Sequence, residues 1–303
     1  MLGDPSRLRE LEVFAVVAAE GNFSAAARAT GLTPSAVSKA VARLERRLGA
    51  RLVARTTRGL TLTDEGRGFH LRAAGILTDL EAAEDEAARG GRPVGTVHVT
   101  TSASYAHHIL YPAIGRLRAA HPALRIVVSE TDTVVGLIEA EADIAVRAGE
   151  MPSSALVARG LGASGRMVVA APAYLAARGT PETARDLAAH DLIGLGYRRR
   201  EAIWPFDPAD GGRPLDTRVA LTASDGEGIR HMARAGLGLA RLTAFTVRDD
   251  ISAGRLVPLL REVDIGDREP FHALWLKSGG PLPARVRLVL DHLATHGRVD
   301  AHP

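Results

Sequence analysis

Cysteine is absent from the 303 residues. That single absence excludes a disulfide framework, a zinc finger and a cysteine nucleophile. Long apolar runs are missing too, and no stretch approaches the roughly 20 residues that a membrane span needs. Met1 to Glu12 is charged and lacks the apolar core of a secretory signal, so a cytoplasmic protein is expected. Signatures of catalysis are equally scarce. There is no Gly-x-Ser-x-Gly elbow and no phosphate-cradling Gly-Lys-Ser/Thr loop, and Ser102 and Ser104 lack an evident base. His292 and His296 have metal spacing, but Leu293-Ala294-Thr295 between them lacks the glutamate of His-Glu-x-x-His. His107 and His108 are adjacent, and on a helix they would point in different directions. Gly236-Leu237-Gly238 follows a helix rather than a strand and so fails as a dinucleotide fingerprint. We therefore expect no catalytic residue, no metal and no cofactor.

What is present is ordinary in bulk, with 46% apolar and 24% charged residues, as in a folded globular chain. The distribution of charge is less ordinary. Residues 1–63 carry ten basic and five acidic side chains, a net of +5, while the whole chain is only +3. A basic first fifth on a mildly acidic remainder is the asymmetry of a DNA-binding head.

That first fifth reads as three short helices. Leu8, Leu11, Phe14, Ala15 and Ala18 give the first an apolar face. A second starts near Ser24 as N-cap and ends before Gly31. Thr33-Pro34 is a cap followed by a first-turn proline, and opens a third helix that Gly49 stops. Val37, Val41, Leu44 and Leu48 form its apolar stripe, opposite Ser35, Ser38, Lys39, Ala42, Arg43 and Arg46. Two helices joined by a short glycine turn, the second small and polar at its start, describe a helix-turn-helix. Residues 51–63 then read as two strands around the basic tip Arg55-Thr56-Thr57-Arg58-Gly59, a wing suited to phosphates or the minor groove. Candidate DNA contacts are thus Ser24, Thr33, Pro34, Ser35, Ser38, Lys39, Arg43, Arg55, Thr56, Thr57 and Arg58.

Residues 7–70 resemble the DNA-binding head of the LysR-type transcriptional regulators. The resemblance rests on Leu8–Phe14, Glu20-Gly21-Asn22-Phe23-Ser24-Ala25-Ala26-Ala27, Ala36-Val37-Ser38, Leu44-Glu45-Arg46-Arg47-Leu48-Gly49 and Leu62-Thr63-Asp64-Glu65-Gly66. Two positions depart from the pattern. Pro34 stands where the family often has glutamine, so that base contact does not carry over, and Val53 stands for a usual phenylalanine.

From Asp64 to Arg89 the chain has no proline and reads as one helix. Phe69, Ala73, Ile76, Leu80, Ala83 and Ala87 recur at heptad steps. Such a seam suits either a pairing helix or a helix packed on its own domain; the resemblance implies the antiparallel dimer contact of the family's linker helix, placed on Phe69, Ala73, Ile76, Leu80 and Ala83. A hinge, Gly90-Gly91-Arg92-Pro93, follows.

The remainder alternates strands and helices, which implies mainly parallel sheets covered by helices. Strands are expected at 94–101, 124–129, 143–147, 166–171, 192–195, 218–222 and 271–276. Helices are expected at 104–120, 131–141, 225–235 and 284–296. Hydroxyls cluster where strands meet helices, at Ser102, Ser104, Thr131 and Ser224, either as N-caps or as ligand contacts in a cleft. Ala142–Gly149, Leu156–Arg159, Ala170–Leu175 and Ala235–Gly238 resemble the same family's two-lobed effector domain, similar to periplasmic solute-binding proteins. The expected layout is a winged head at 1–63, a linker helix and hinge at 64–92, and an α/β effector domain at 93–303. Within that domain lobe I is expected at 93–162 and 267–303, and lobe II at 163–266. By position Ser102, Ser104, Thr131, Arg147, Tyr197 and Ser224 would line the cleft, although the alternation around Arg147 also allows an outward-facing charge. The resemblance implies a regulator of an operator in double-stranded DNA, working as a homodimer or homotetramer, with RNA polymerase as a partner if it activates. Its effector would be a small organic or aromatic acid. The competing expectation is a ligand-independent DNA binder whose body serves only to oligomerise.

Overall fold

A computed structural model describes residues 6–56, 59–88, 93–133, 137, 142–149, 156–196, 219–261, 267–276 and 282–300. Contacts divide the chain into two units, residues 1–95 and 96–303.

The first unit begins with α1 (Ser6–Glu20), α2 (Phe23–Thr30) and α3 (Pro34–Leu48). Val13, Val17, Ala26, Ala27, Val37, Ala40 and Val41 form their shared core. The buried face of α1 is Glu10, Val13, Phe14 and Val17, rather than the Leu8-Leu11 face read from spacing; Leu8 is exposed. Leu48 is exposed as well, so the stripe of α3 ends at Leu44. Asn22, not Ser24, caps α2, its Oδ1 accepting from the Ser24 and Ala25 amides at 2.7 and 3.4 Å. Thr33 caps α3 by accepting from the Ala36 amide at 3.2 Å. Gly31 and Gly49 end the two helices at φ 67°, a conformation that glycine adopts at no steric cost.

A two-stranded wing follows, β1 (Val53–Thr56) paired antiparallel with β2 (Gly59–Leu62). A carboxylate fixes its root: Glu45 Oε1 on α3 accepts from the Leu52 and Val53 amides at 2.8 and 3.2 Å. The long helix α4 (Asp64–Ala88) starts under Thr63, whose hydroxyl accepts from the Gly66 amide and donates to the Arg51 carbonyl. Its first turns belong to the head. The Phe69 ring lies 5.5 Å from that of Phe14, and Ala73 is buried, whereas Ile76 is 55% exposed.

The second unit is a mixed sheet in the order β4-β3-β5-β11-β6-β9-β7-β8, with β10 also paired to β6. Lobe I comprises β3 (Gly95–Thr101), β4 (Leu124–Glu130), β5 (Ile144–Ala148), the first part of β6 (Leu156–Ala170) and β11 (Arg268–Leu276). Helix α5 (Ala103–Tyr105) runs through a π-turn, Ala106–Leu110, into α6 (Tyr111–Ala120), and α10 (Ala284–His296) packs Val286, Val289, Leu290 and Leu293 into this lobe's core. Lobe II holds the end of β6 with α7 (Pro172–Arg178), β7 (Leu192–Leu195), β8 (Val219–Ala223), α8 (Gly226–Arg234), β9 (Leu239–Thr243), α9 (Ala244–Ser252) and β10 (Val257–Leu259).

The parallel pairings expected from the βαβ rhythm are there in β3·β5, β7·β8 and β7·β9. The sheet is nonetheless mixed, because β6 and β11 carry the chain in opposite directions between the lobes. Leu156–Gly165 of β6 pairs with β11, and Arg166–Val169 pairs with β9. The strand expected at 166–171 is therefore the last third of a fifteen-residue strand. Residues 131–133 are not helical, and most of the helix expected at 131–141 lies outside the described residues, as do Gly90–Arg92 of the hinge.

Two glycines of α4 make opposite expectations. A Cβ at Gly66 would collide with the Leu52 carbonyl, whereas one at Gly68 meets nothing within 4 Å. Gly66→Ala should lower head stability by about 1–3 kcal/mol. Gly68→Ala should raise it by about 0.5–1 kcal/mol, through the entropy that glycine costs a helix. Thermal unfolding of the two variants checks both signs; equal shifts would contradict the packing of α4 under the wing.

Candidate nucleic-acid interface and effector cleft

On the first unit, α3 offers Ser35, Lys39, Ala42, Arg43 and Arg46 exposed, with Ser38 half-buried. Pro34, Thr33 and Ser24 are exposed beside them, and the Thr33 hydroxyl also caps the helix. Arg43 has a second attachment. Its Nε donates to the buried Glu10 at 2.9 Å, and Arg47 donates to the other oxygen at 3.3 Å. A buried carboxylate needs such partners, so Glu10 ties α1 to the solvent edge of α3 and steadies Arg43. Arg55 and Thr56 lie in β1, opposite Leu60 and Gly59. Thr57 and Arg58 lie outside the described residues. A helix presenting hydroxyls and cations, beside a basic hairpin, suits a major groove and its flanking phosphates.

On the second unit, a cavity of about 160 Å³ opens between the lobes. Its size is close to that of a cavity that holds one benzene ring, about 150 Å³. Ser102 and Ser104 line it from lobe I as expected. Ser102 is also the N-cap of α5, accepting from the Tyr105 amide at 3.3 Å. Thr131, Arg147 and Ser224 are not in the lining. Arg147 donates instead to Thr100 Oγ1 at 3.1 Å and to its neighbour's carbonyl, and Ser224 donates to Asp225 at 2.7 Å. The alternation of β5 decides the first case, since Ala148, one residue on, faces the cavity. Tyr197 lies outside the described residues.

Among the described residues the cations lining the cleft are Arg166 and Arg241, which sequence reasoning passed over. They sit on adjacent strands, with Arg166 opposite Thr243 and Arg241 opposite Val168, so they are diagonal neighbours on one sheet face. Arg166 donates to Glu269 at 2.8 Å, and Asp267 pairs with Arg241 and stands 3.8 Å from Arg166. Asp132 also lines the space and accepts from the Ala103 amide at 3.2 Å. A sequence signal did exist: each arginine interrupts an apolar strand run, Arg166 before Met167-Val168-Val169 and Arg241 within Leu239-Ala240-Arg241-Leu242. Phe245, Phe271, Ile193, Leu195 and Ile229 complete apolar walls. At the start of α8, a Cβ on Gly226 would stand 2.5 Å from Ser104 Oγ.

Beside the cleft, Glu227 at the start of α8 faces His107 and His108 of the π-turn, and Arg230 links it to Asp250. Asp250 is fully buried and met by Arg230 at 2.7 Å, Arg255 at 2.5 Å and Arg234 at 3.4 Å. Burial pushes its carboxyl up, but hydrogen bonds from Arg255 and Arg230 outweigh this and hold it below the ordinary carboxylate range. Among the described residues no helix is long and apolar enough to cross a membrane.

Two family models match the chain. Residues 8–67 match the "Bacterial regulatory helix-turn-helix protein, lysR family" and residues 90–298 the "LysR substrate binding domain". The HTH-type transcriptional regulator CrgA of Neisseria meningitidis serogroup C (strain 8013) is 39% identical over 285 residues, covering 94% of this chain and 95% of that protein. The solved structure of CrgA from Neisseria meningitidis aligns at a TM-score of 0.64 and 37% identity, over 95% of this chain and 98% of that one. LysG of Corynebacterium glutamicum, solved full-length with bound effector Arg, aligns at a TM-score of 0.71 over 96% and 98% of the two chains. At 21% identity that likeness is one of fold. A winged helix-turn-helix followed by a two-lobed α/β domain, matched by both models, places this chain in the LysR family of DNA-binding transcriptional regulators, which are not enzymes.

Proposed function

We propose that operator binding by this regulator responds to a small organic acid, monocyclic or similar in bulk, held between the lobes against Arg166 and Arg241. The observation that carries this is two arginines on one sheet face beside a ring-sized space with partly apolar walls. Both arginines already pair with Asp267 or Glu269. A ligand carboxylate fits by taking over those donors, since arginine receives a carboxylate bidentately. LysG, of like fold, is seen with bound effector Arg. Ser102 and Ser104 would supply hydroxyls to the same ligand, while Thr131, Arg147 and Ser224 recede as contacts. Titration calorimetry with a panel of aliphatic and aromatic monocarboxylates tests it. Arg241→Gln should weaken the bound acid roughly tenfold or more, the value of a charge-assisted hydrogen bond, and Arg147→Ala should leave it unchanged. By linkage the acid must change operator affinity by the factor by which operator changes acid affinity. An acid that alters operator binding yet binds Arg241→Gln as tightly as wild type would sink the assignment.

On DNA, α3 reads bases and the wing holds phosphates. Ser38→Ala and Lys39→Ala should change preference among operator sequences more than affinity for random duplex. Arg55→Ala and Arg58→Ala should weaken all duplexes and each lower the salt slope by about one. Fluorescence anisotropy across a salt series separates the two behaviours; unchanged slopes in both arginine variants would remove the wing from the interface.

The operator-bound form we propose is a homodimer paired through α4, or a tetramer built on it, with RNA polymerase as a partner if the protein activates. Phe69 and Ala73 serve the head's own core, which leaves Ile76, Leu80 and Ala83 for pairing. Ile76 is more than half exposed, so Ile76→Asp should leave unfolding nearly unaltered and yet lower the sedimenting mass. A fully oligomeric Ile76→Asp protein would place the pairing contact elsewhere.

A further inference from the structure

His107 and His108, which an α-helix would turn apart, converge. Residues 106–110 form a π-turn, and widening the helix there brings both rings to one carboxylate of the opposite lobe. His108 Nε2 stands 2.8 Å from Glu227 Oε1, and His107 Nδ1 stands 3.9 Å from Glu227 Oε2. The His108 and Glu227 side chains are only 10% and 8% exposed, so their interaction is little screened by water. Glu227 opens α8 in lobe II, and the histidines belong to lobe I. Their contact therefore crosses the cleft at its rim.

The charges facing the pair can be set out element by element. From β4, Glu130 meets His107 at 3.2 Å. From α6, the Tyr111 hydroxyl donates to the same Glu130. Burial, and then that carboxylate, push Tyr111 up to about 12, so it stays a donor. From α8 come Glu227 itself, Arg230 at 2.9 Å from it, and His231, whose ring bonds the Glu227 carbonyl on its own helix. Behind Arg230, Asp250 of α9 is held by Arg234 and Arg255. From α9 there is also the Phe245 ring, 6.4 Å from His108. Burial pushes Glu227 up, but hydrogen bonds from His108 and Arg230 outweigh it and keep its carboxyl below the ordinary carboxylate range. It is an anion wherever histidine titrates. Arginines answer Asp250 and share Glu227, and arginine keeps its charge throughout, whereas imidazole as a side-chain type is the one that ordinary changes of pH can charge or discharge.

We propose that His107, His108 and Glu227 form a proton-operated clasp between the lobes, closed when the histidines are charged and slack when they are neutral. The sign follows from linkage. A cation facing a fixed carboxylate across the rim is bound more tightly in the closed arrangement, so closure favours protonation and protonation favours closure. The contribution is complete on the acid side of the histidine range and is lost as pH rises through it. The clasp draws its importance from the cleft reading above, because an effector that binds between the lobes works against, or with, whatever already holds them. It is testable without any effector, so failure of either reading leaves the other standing.

The chain contains no cysteine, so two introduced thiols are the only sites that a thiol-specific label can reach. Ser129 on β4 and Thr222 on β8 are exposed and lie on strands of opposite lobes. Full-length Ser129→Cys/Thr222→Cys protein, spin-labelled and diluted with unlabelled protein, reports the distance between lobes by electron double resonance. Between about pH 5.5 and pH 8, which brackets histidine titration, the distance distribution should move reversibly to longer values. The closed-to-open ratio should be roughly tenfold larger at the acid end, the size of one charge-assisted hydrogen bond. His107→Gln with His108→Gln should hold the alkaline distribution at every pH, and Glu227→Gln should do the same from the other lobe. His107→Gln alone, at a half-exposed site that does not threaten folding, should reduce the amplitude. A distribution independent of pH in wild type, or a shift that survives in the histidine and glutamate variants, would overturn the clasp.

Discussion

Everything in the second unit hangs on the antiparallel pairing of β6 with β11. Ten residues of β6, Leu156–Gly165, run beside β11, and the same strand then continues into the other lobe beside β9. Two chain crossings, one outward at Gly165-Arg166 and one back at Asp267-Arg268, join the lobes as parts of one sheet. Because side chains alternate along a strand, the register at the crossing decides which residues look into the cleft. It places Arg166 and Arg241 on one face, with Asp267 just before the returning strand and Glu269 on it beside them. Arg166 and the acids that satisfy the two arginines are therefore supplied where the chain crosses from one lobe to the other.

Asp267 and Glu269 answer the two arginines, and Asp132 adds a further acid to the lining, so the described charges of the cleft are not left uncompensated on the cationic side; burial of either arginine alone would be costly. On the proposed reading an entering anion would exchange one ion pair for another rather than fill an uncompensated charge. Its fit would then be set by the apolar walls around Phe245 and Phe271. Occupancy would also be felt at the crossing strand, since the displaced acids lie at and just before the start of β11.

The head was largely legible in the sequence because its signals are local. Thr33-Pro34, Gly31 and Gly49 each state a backbone conformation within a few residues, and all three act where they were read. Leu8 and Leu48 misled because each ends a helix, where apolar spacing continues after the neighbours that would cover it have run out. In the body several strands and the helices α8 and α10 stand near their expected places, whereas α7, α9, β9, β10 and the first two thirds of β6 were not expected and the pairing directions were not legible. Nothing within Leu156–Ala170 says that its two parts serve different sheet neighbours. For the same reason the residues alone name Arg147 and pass over Arg166 and Arg241, since which side of a strand faces the cavity depends on partners about a hundred residues away. The histidine pair was set aside on α-helical geometry, and one extra residue in the turn reversed that geometry.

Gly226 sets how closely the start of α8 can approach the opposite lobe. Ser104 of one lobe occupies the space that a side chain at this position would need. At this point there is less room than a methyl group needs, so a side chain at position 226 would push the Ser104 hydroxyl aside or part the two elements. Ser104 and Gly226 both line the cleft, so any larger residue at position 226 would take its space from the cleft itself.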